Sequence, residues 1–486
     1  MKRREFLISS VVFWAGARTG MAREAASTAK PNVLFIAVDD LNHWVGHLGR
    51  NPQTKTPNID RLAKMGVTFT RANCAAPVCN PSRAALMSGL RASTTGVYDN
   101  GQDWKLAISK EQTLTTQFLR AGYNVFGAGK IYHSSDHRQG EWTEYAENTG
   151  GGNLRRHPSA KDDGVGGIKF YPLDCRDEDM PDYKVVSYGI EKLGQKHDKP
   201  FFLAIGLVKP HMPFSVPKKY FDMFPLETIQ LPPHREDDLD DVPAAGIKMA
   251  KPDGDHAAIV KSGRWKDAVQ AYLATIAFCD GQVGRLIEGL QKSAYRDNTV
   301  ICFWSDHGWH LGEKLHWRKF ALWEEAARTV FIWSAPGVTR PGGVCERPVD
   351  FMSIYPTLCD LAGLPRPAHV EGHDIRPLLE NPKAKWDQAA VTTFHKDNHS
   401  IRSETWRYIR YADGSEELYN HDNDPYEWTN LAKDPQYASV KVELARFAPK
   451  VNAPERPRDP AGGEGKQGGA VRDKAAKKAK RKAAGL

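Results

Sequence analysis

The chain has 486 residues, 41% of them hydrophobic and 26% charged, which excludes a disordered polymer and leaves room for one large domain and a smaller one. Its formal charge of +8 sits at the two ends: residues 466–486 hold eight Lys or Arg against one Asp, and residues 1–23 five against one Glu. The chain between them is slightly acidic, so the basic balance gives no reason to expect a nucleic-acid partner for the fold itself.

At the N-terminus, Met1-Lys2-Arg3-Arg4-Glu5-Phe6-Leu7 precedes an apolar run from Ile8 to Ala17 and a small-residue site at Gly20-Met21-Ala22. Paired arginines, Phe-Leu and a short apolar run in that order resemble a twin-arginine export signal over residues 1–22. The expected location is therefore exported, periplasmic or secreted. The run is too short to cross a bilayer and no longer one follows, so no membrane span is expected. Seven cysteines occur without a Cys-x-x-Cys pair, which argues against a structural zinc site. Most lie in apolar segments, and their pairing stays open.

The run Asn32 to Val38 is short, continuous and apolar, the pattern of a strand buried on both faces of a parallel sheet. It stops at Asp39-Asp40. Thr56 to Gly66 reads as a helix, capped by Thr56, started by Pro57 and ended by Gly66. A second helix from about Ser82 puts Cys79 beside a helix N-terminus, where free N–H groups and the dipole favour an anion. A third covers about 113–121, and Tyr123 to Ala128 is a strand candidate running into Gly129-Lys130-Ile131-Tyr132-His133. Residues 134–181, rich in Gly, Asp and Arg, read as long loops near a substrate mouth.

A helix is expected over about 182–196, then a buried strand from Phe201 to Val208 that ends in Lys209-Pro210-His211. Residues 212–264 look irregular. Residues 266–292 carry the clearest helical period, with Val269, Tyr272, Leu273, Ile276, Val283, Leu286, Ile287 and Leu290 at threes and fours, a face read as packing only. Thr299 to Trp304 is a further strand, ending in Ser305-Asp306-His307-Gly308, and a helix follows at about 350–362. These elements make up an expected catalytic domain, residues 30–365. The Pro-rich stretch 364–388 crosses to a smaller C-terminal domain, 366–450, in which Arg407–Tyr411 and Glu417–Tyr419 flank the hairpin signal Asp413-Gly414. Residues 451–486 turn to Pro, Gly, Ala and Lys, a basic tail expected to be disordered.

Four buried strands thus end in polar clusters: Asp39-Asp40, Lys130 to His133, Lys209-Pro210-His211 and Asp306-His307. In open α/β sheets ligands sit beyond the carboxyl ends of the strands, so these ends are expected to assemble one site. Asp39, Asp40 and Asp306 offer hard oxygens suited to Ca²⁺ or Mg²⁺. Arg83, Lys130 and Lys319 add positive charge, as an anionic ester under attack by an oxygen nucleophile requires.

The stretch Cys79-Asn80-Pro81-Ser82-Arg83, carried on to Gly89, resembles the signature of the type I sulfatases, Cys-x-Pro-Ser-Arg. The resemblance extends through Asp39-Asp40 and Thr56-Pro57-Asn58-Ile59-Asp60. It is strongest to the iduronate-2-sulfatase branch, through Gly129-Lys130-Ile131-Tyr132-His133, Lys209-Pro210-His211-Met212-Pro213-Phe214, Ser305 to Trp309, Gly312-Glu313 and Trp317-Arg318-Lys319. It runs from about residue 31 to 435. One departure is Met87-Ser88-Gly89 in place of Leu-Thr-Gly.

That resemblance implies an alkaline-phosphatase-like α/β fold, a large mixed and mostly parallel sheet flanked by helices, with a smaller C-terminal α+β domain. It implies oxidation of Cys79 to formylglycine by a formylglycine-generating enzyme, and Ca²⁺ held by Asp39, Asp40, Asp306, His307 and the modified Cys79. Lys130 and Lys319 would bind the sulfate and Arg83 would support the aldehyde hydrate. His211 would protonate the leaving oxygen, and His133 would take the proton when the aldehyde is regenerated. The implied substrate is a sulfated carbohydrate, from a glycosaminoglycan or another polysaccharide. Two other readings stay open: a phosphonate or phosphate diester hydrolase of the same fold, and an exported anion- or glycan-binding protein whose cysteine is unmodified.

Overall fold

The computed structural model describes residues 30–133, 137–146, 158–160 and 163–458. The expected export signal and the chain from 459 onward lie outside the described residues. The apolar run at the start of the chain is a strand, β1 (Asn32–Val38), with every residue buried. Seven more strands join it: β2 (Val67–Phe69), β3 (Asn124–Gly129), β4 (Glu144–Ala146), β5 (Phe201–Leu207), β6 (Thr299–Ser305), β7 (Phe331–Ser334) and β8 (Gly343–Cys345). Their order across the sheet is β8-β2-β7-β6-β1-β5-β3-β4. Pairings are parallel except at β7, which runs antiparallel to both β2 and β6.

Alternation along β1 divides the interior in two. Leu34, Ile36 and Val38 enter one core with α1 (Pro57–Met65), α4 (Pro181–Gly194) and α5 (Trp265–Lys292). Val33, Phe35 and Ala37 enter the other with α2 (Cys79–Ser88), α3 (Leu114–Arg120) and α6 (Ile354–Leu361). Both faces are covered, which is why the parallel strands read as unbroken apolar runs. Val38 lies opposite Leu207 on one side and Ser305 on the other, so β1, β5 and β6 end level.

Several elements differ from those expected. Helix α2 begins at Cys79 itself and not at Ser82, because Pro81 fits the first turn and the Ser82 N–H already bonds to the Val78 carbonyl at 3.1 Å. Thr56 does not cap α1 through its side chain. That task falls to Asp280 of α5, which accepts from the Asn58 and Ile59 N–H groups at 3.0 and 2.8 Å. The span 212–264 is not irregular throughout, since it holds helices at Ala244–Ala250 and Asp255–Ser262. Each is too short to show a period. The span 134–181 includes β4 at the sheet edge.

The C-terminal domain is a four-stranded antiparallel sheet, β9 (Ala390–Thr393), β10 (His399–Arg402), β11 (Trp406–Arg410) and β12 (Glu416–Asn420), in that order. The expected hairpin is β11–β12. Thr392 Oγ1 donates to the Cys74 carbonyl at 2.7 Å and Thr393 N–H to Ala75 at 2.9 Å, which ties this sheet to the segment entering α2. Residues 451–458 are not a loose tail. They lie along residues 93–102, with Ala453 N–H donating to Ser93 at 2.7 Å and Arg456 N–H to Gly96 at 2.9 Å. All seven cysteines are free thiols.

Candidate active site

The strands β6, β1, β5 and β3 are neighbours, and their carboxyl ends deliver Asp306-His307, Asp39-Asp40, His211 and Lys130 to one place. Helix α2 points its N-terminus at the same spot and carries Cys79. Arg83, one turn along α2, is fully buried and stitches three strand ends together. Its Nε donates to Asp306 Oδ2 at 2.8 Å, Nη2 to the Val38 carbonyl at 3.1 Å and to Asp39 Oδ1 at 3.4 Å, and Nη1 to the Lys130 carbonyl. Ser82 Oγ adds a bond of 2.6 Å to the Asp306 carbonyl.

Around Cys79 the donors converge. Sγ lies 3.3 Å from His307 Nε2 and 3.4 Å from Lys319 Nζ. Lys319 Nζ also donates to Asp40 Oδ1 at 2.8 Å, and Lys130 Nζ to Asp39 Oδ2 at 2.5 Å. His307 Nε2 lies 3.3 Å from Asp40 Oδ1. Ligand atoms of Asp39, Cys79, Asp306 and His307 lie within 4.8 Å of one another, and so do those of Asp39, Asp40, Cys79 and His211. His211 Nδ1 donates to the Met212 carbonyl at 2.6 Å, which turns Nε2 toward Asp40 Oδ2 at 3.8 Å.

The electrostatics follow from burial. Desolvation alone would raise the Asp39 carboxyl, but Lys130, His211, Arg83 and Lys319 together hold it well below the usual range. Asp40 is pushed up to about 7 by burial, against the pull of Lys319 and with Asp39 adding repulsion. Burial would lower His307, yet Asp306 and Cys79 raise it to about 9. Burial keeps His211 well below the ordinary histidine value. A carboxylate that takes up a proton this readily, beside two others at no solvent exposure, is the setting in which a divalent cation replaces the proton. Three carboxylates supply hard oxygens, so the donor set fits a hard cation.

Of the residues expected to act, Asp39, Asp40, Cys79, Arg83, Lys130, His211, Asp306, His307 and Lys319 are brought together. His133, half-buried, belongs to neither compact donor group. Two supporting residues carry no motif in the sequence. Tyr272 on α5 is more than packing: its hydroxyl donates to the Asp40 carbonyl at 2.7 Å and accepts from Asn42 N–H at 3.0 Å. Asn80 Nδ2 donates to the Asp99 and Gln102 carbonyls at 2.9 and 2.7 Å, bracing the start of α2. Only the placement of Tyr272 on an otherwise aliphatic stripe hints at its role. Above the cluster opens a cavity of about 1070 Å³ with His211 and Lys319 in its wall, lined further by Trp309, Trp317, Phe320 and Phe394.

The family description "Sulfatase" matches residues 31–364, and "N-sulphoglucosamine sulphohydrolase, C-terminal" matches residues 312–452. The chain is 38% identical over 480 residues to a protein named sulfatase from Formosa agariphila, covering 93% of each. It is 30% identical over 417 residues to iduronate 2-sulfatase from Homo sapiens, covering 74% of each. Among solved structures it is similar to a phosphonate monoester hydrolase of Agrobacterium radiobacter, with a TM-score of 0.72 at 26% identity, covering 86% of this chain and 94% of that one.

Proposed function

The chain belongs to the sulfatase family, with the alkaline-phosphatase-like fold, and is a sulfuric ester hydrolase; we propose that it removes sulfate from a sulfated sugar with residue 79 as the nucleophile. One observation carries this reading. A cysteine at the first position of a helix sits within 3.4 Å of a lysine ammonium and a histidine nitrogen, over three buried carboxylates. A bare thiol has no need of that setting, and an oxygen nucleophile facing an anionic ester does.

In this reading Cys79 is oxidised to formylglycine by a formylglycine-generating enzyme, and its hydrate supplies the attacking oxygen. Asp39, Asp40, Asp306, His307 and the modified residue 79 would hold Ca²⁺, which when bound would supply positive charge for an anionic ester and its oxygen nucleophile. Lys130 and Lys319 bind the sulfate, their ammonium groups held charged by Asp39 and Asp40. Arg83 stays charged at all working pH and orients Asp39 and Asp306 from beneath. His211 protonates the leaving sugar oxygen as the imidazolium: Nδ1–H is committed to the Met212 carbonyl, and the Nε2 proton, opposed by burial and favoured by Asp39 at 4.0 Å, is the one it gives. His133 takes a proton when residue 79 is regenerated. The sugar class rests on the relatives and on the aromatic walls of the cavity, which suit a pyranose face. No helix among the described residues is long and apolar enough to cross a membrane, and the reading includes export through the signal at residues 1–22.

The test is the mass of the Cys79 peptide from protein made in a host with the maturation enzyme, with turnover of aryl sulfate and aryl phosphodiester measured side by side. Aldehyde at residue 79, faster sulfate than diester cleavage and a silent Cys79→Ala variant are expected. An active protein with an intact thiol, or diester turnover above sulfate turnover, would overturn the proposal.

A further inference from the structure

The cavity over Cys79, at about 1070 Å³, is larger than one sulfate ester needs. Its inner end is His211 and Lys319. Its outer wall is built by Lys251, His395 and Arg458, which come from three separate parts of the chain. Five Lys or Arg side chains line the cavity against two Asp. Lys319 belongs to the cluster already described, and Arg318, paired with Asp255 at 2.7 Å, has only 16% of its side chain exposed. Lys251 is exposed and forms no ion pair with any described residue.

Two of the three outer residues hold backbones that side chains rarely adopt. Lys251, with φ of 52°, is the left-handed cap that ends the helix Ala244–Ala250, which fixes where its side chain leaves the backbone. His395 has φ of 56° outside any helix end, and a positive φ of that kind persists only where the surroundings impose it, as at ligand sites. Arg458 is placed as deliberately. It lies in the strap 451–458, pairs in an isolated bridge with Gln102, and meets Asp99 Oδ2 at 2.5 Å while 58% of its side chain stays exposed for a further anion. Gln102 Nε2 donates to the Arg456 carbonyl at 2.6 Å, so the loop that braces Asn80 also anchors the strap. Gly96 permits the approach: a Cβ there would stand 2.3 Å from the Pro454 carbonyl oxygen. His395 is tied to the strap, its Nδ1 lying 4.0 Å from Glu455 Oε1, and it shares the cavity wall with Lys251 and Arg458.

We propose that Lys251 and Arg458, in the same cavity wall as His395, form a second anion subsite that takes a carboxylate or a further sulfate of the sugar whose sulfate ester lies over Cys79. This rests on the sulfated-sugar reading above. The enzyme then selects sugars with two anionic groups, and the C-terminal strap is part of its specificity.

The experiment uses matched pairs of sugars. One arm compares hexosamine monosulfates with the corresponding disulfates. The other compares monosulfated hexosides with the same rings oxidised to uronates. Within each pair, kcat/KM of the full-length matured chain gives a preference ratio, and calorimetric binding to Cys79→Ala gives an affinity ratio independent of turnover. The expected result is a preference for the doubly charged member in one arm, which names the second group. Lys251→Ala and Arg458→Ala should each cut that ratio about tenfold, the scale of one charge-assisted hydrogen bond, while Lys251→Arg retains it. Wild-type protein that turns over sulfated sugars with equal preference in both arms, or ratios that survive both alanine variants, would overturn the subsite and leave the sulfatase reading standing. Wild-type protein that neither cleaves nor binds any of these sugars would overturn the sugar reading and the subsite with it.

Discussion

His211 shows how one bond sets a chemical role. Its Nδ1–H is used by the Met212 carbonyl at 2.6 Å, so only Nε2 faces the cluster. A proton donor matters in proportion to the basicity of the leaving oxygen. His211→Ala should therefore lower kcat/KM by ~10²–10⁴-fold on a sugar sulfate. On 4-nitrophenyl sulfate, whose leaving group needs no proton, the loss should stay below about tenfold. Equal losses on both substrates would reduce His211 to a binding residue. The carboxylates Asp39, Asp40 and Asp306 lead to a second expectation at the same scale. All three are fully buried, and mutual repulsion among them is relieved by a bound cation. Removal of divalent ions with a chelator should lower Tm and abolish turnover. Added Ca²⁺ should raise Tm in step with the logarithm of its concentration, as mass action requires. A Tm indifferent to both treatments would count against a resident cation.

At the level of strands and helices, the pair Gly129 and Gly206 decides where Lys130 stands. They lie opposite each other where β3 and β5 end, and the Gly206 carbonyl accepts Lys130 N–H at 2.9 Å. A Cβ on Gly206 would meet the Lys130 backbone at 2.3 Å. Gly206→Ala should cost about 1–3 kcal/mol in urea unfolding, the range of overpacking. It should also lower kcat/KM for aryl sulfate more than the loss of folded protein explains, since Lys130 is carried off its partner Asp39. The same strands show what the sequence made legible. β1, β5 and β6 announce themselves as unbroken apolar runs closed by charged residues, so the convergence of Asp39, Asp40, His211, Asp306 and His307 is readable before any coordinates. Short strands such as β2 and β8 have three residues each, too few for any period. Lys251, His395 and Arg458 were equally hidden, because their meeting depends on loops and on a strap that composition presents as a tail. Asp280 was hidden for another reason: in the sequence it is one polar residue on a long helix, and its partners lie 222 and 221 residues away.

Taken whole, the molecule is bolted together by Arg407. This residue of β11 is fully buried and reaches from the C-terminal sheet into the catalytic layer. Nε donates to Glu427 Oε1 at 2.5 Å, Nη1 to Ser400 Oγ at 2.6 Å, and Nη2 to Asn73 Oδ1 at 3.3 Å and to Glu324. Glu324 and Asn73 belong to the segments that carry Lys319 and lead into Cys79, so the site's geometry depends on this joint. Wild-type protein should unfold in one cooperative transition, both sheets melting together. Arg407→Leu leaves two carboxylates buried without their shared cation and should cost about 3–5 kcal/mol. It should also separate the melting of the C-terminal sheet from that of the large one. The pH dependence carries a definite sign. Burial would raise Glu427, but Arg407 and His421 bring it down to about 2, and Glu324 is likewise held well below its ordinary value. A depressed carboxyl contributes stability above its unfolded pKa, near 4.3, and loses that contribution as pH falls toward the folded value. The gap between wild type and Arg407→Leu should therefore be full at pH 7 and narrow steadily below about pH 4. Urea titrations of both proteins across that interval measure it, and a gap that stays constant with pH would show that Arg407 acts by packing and not by charge.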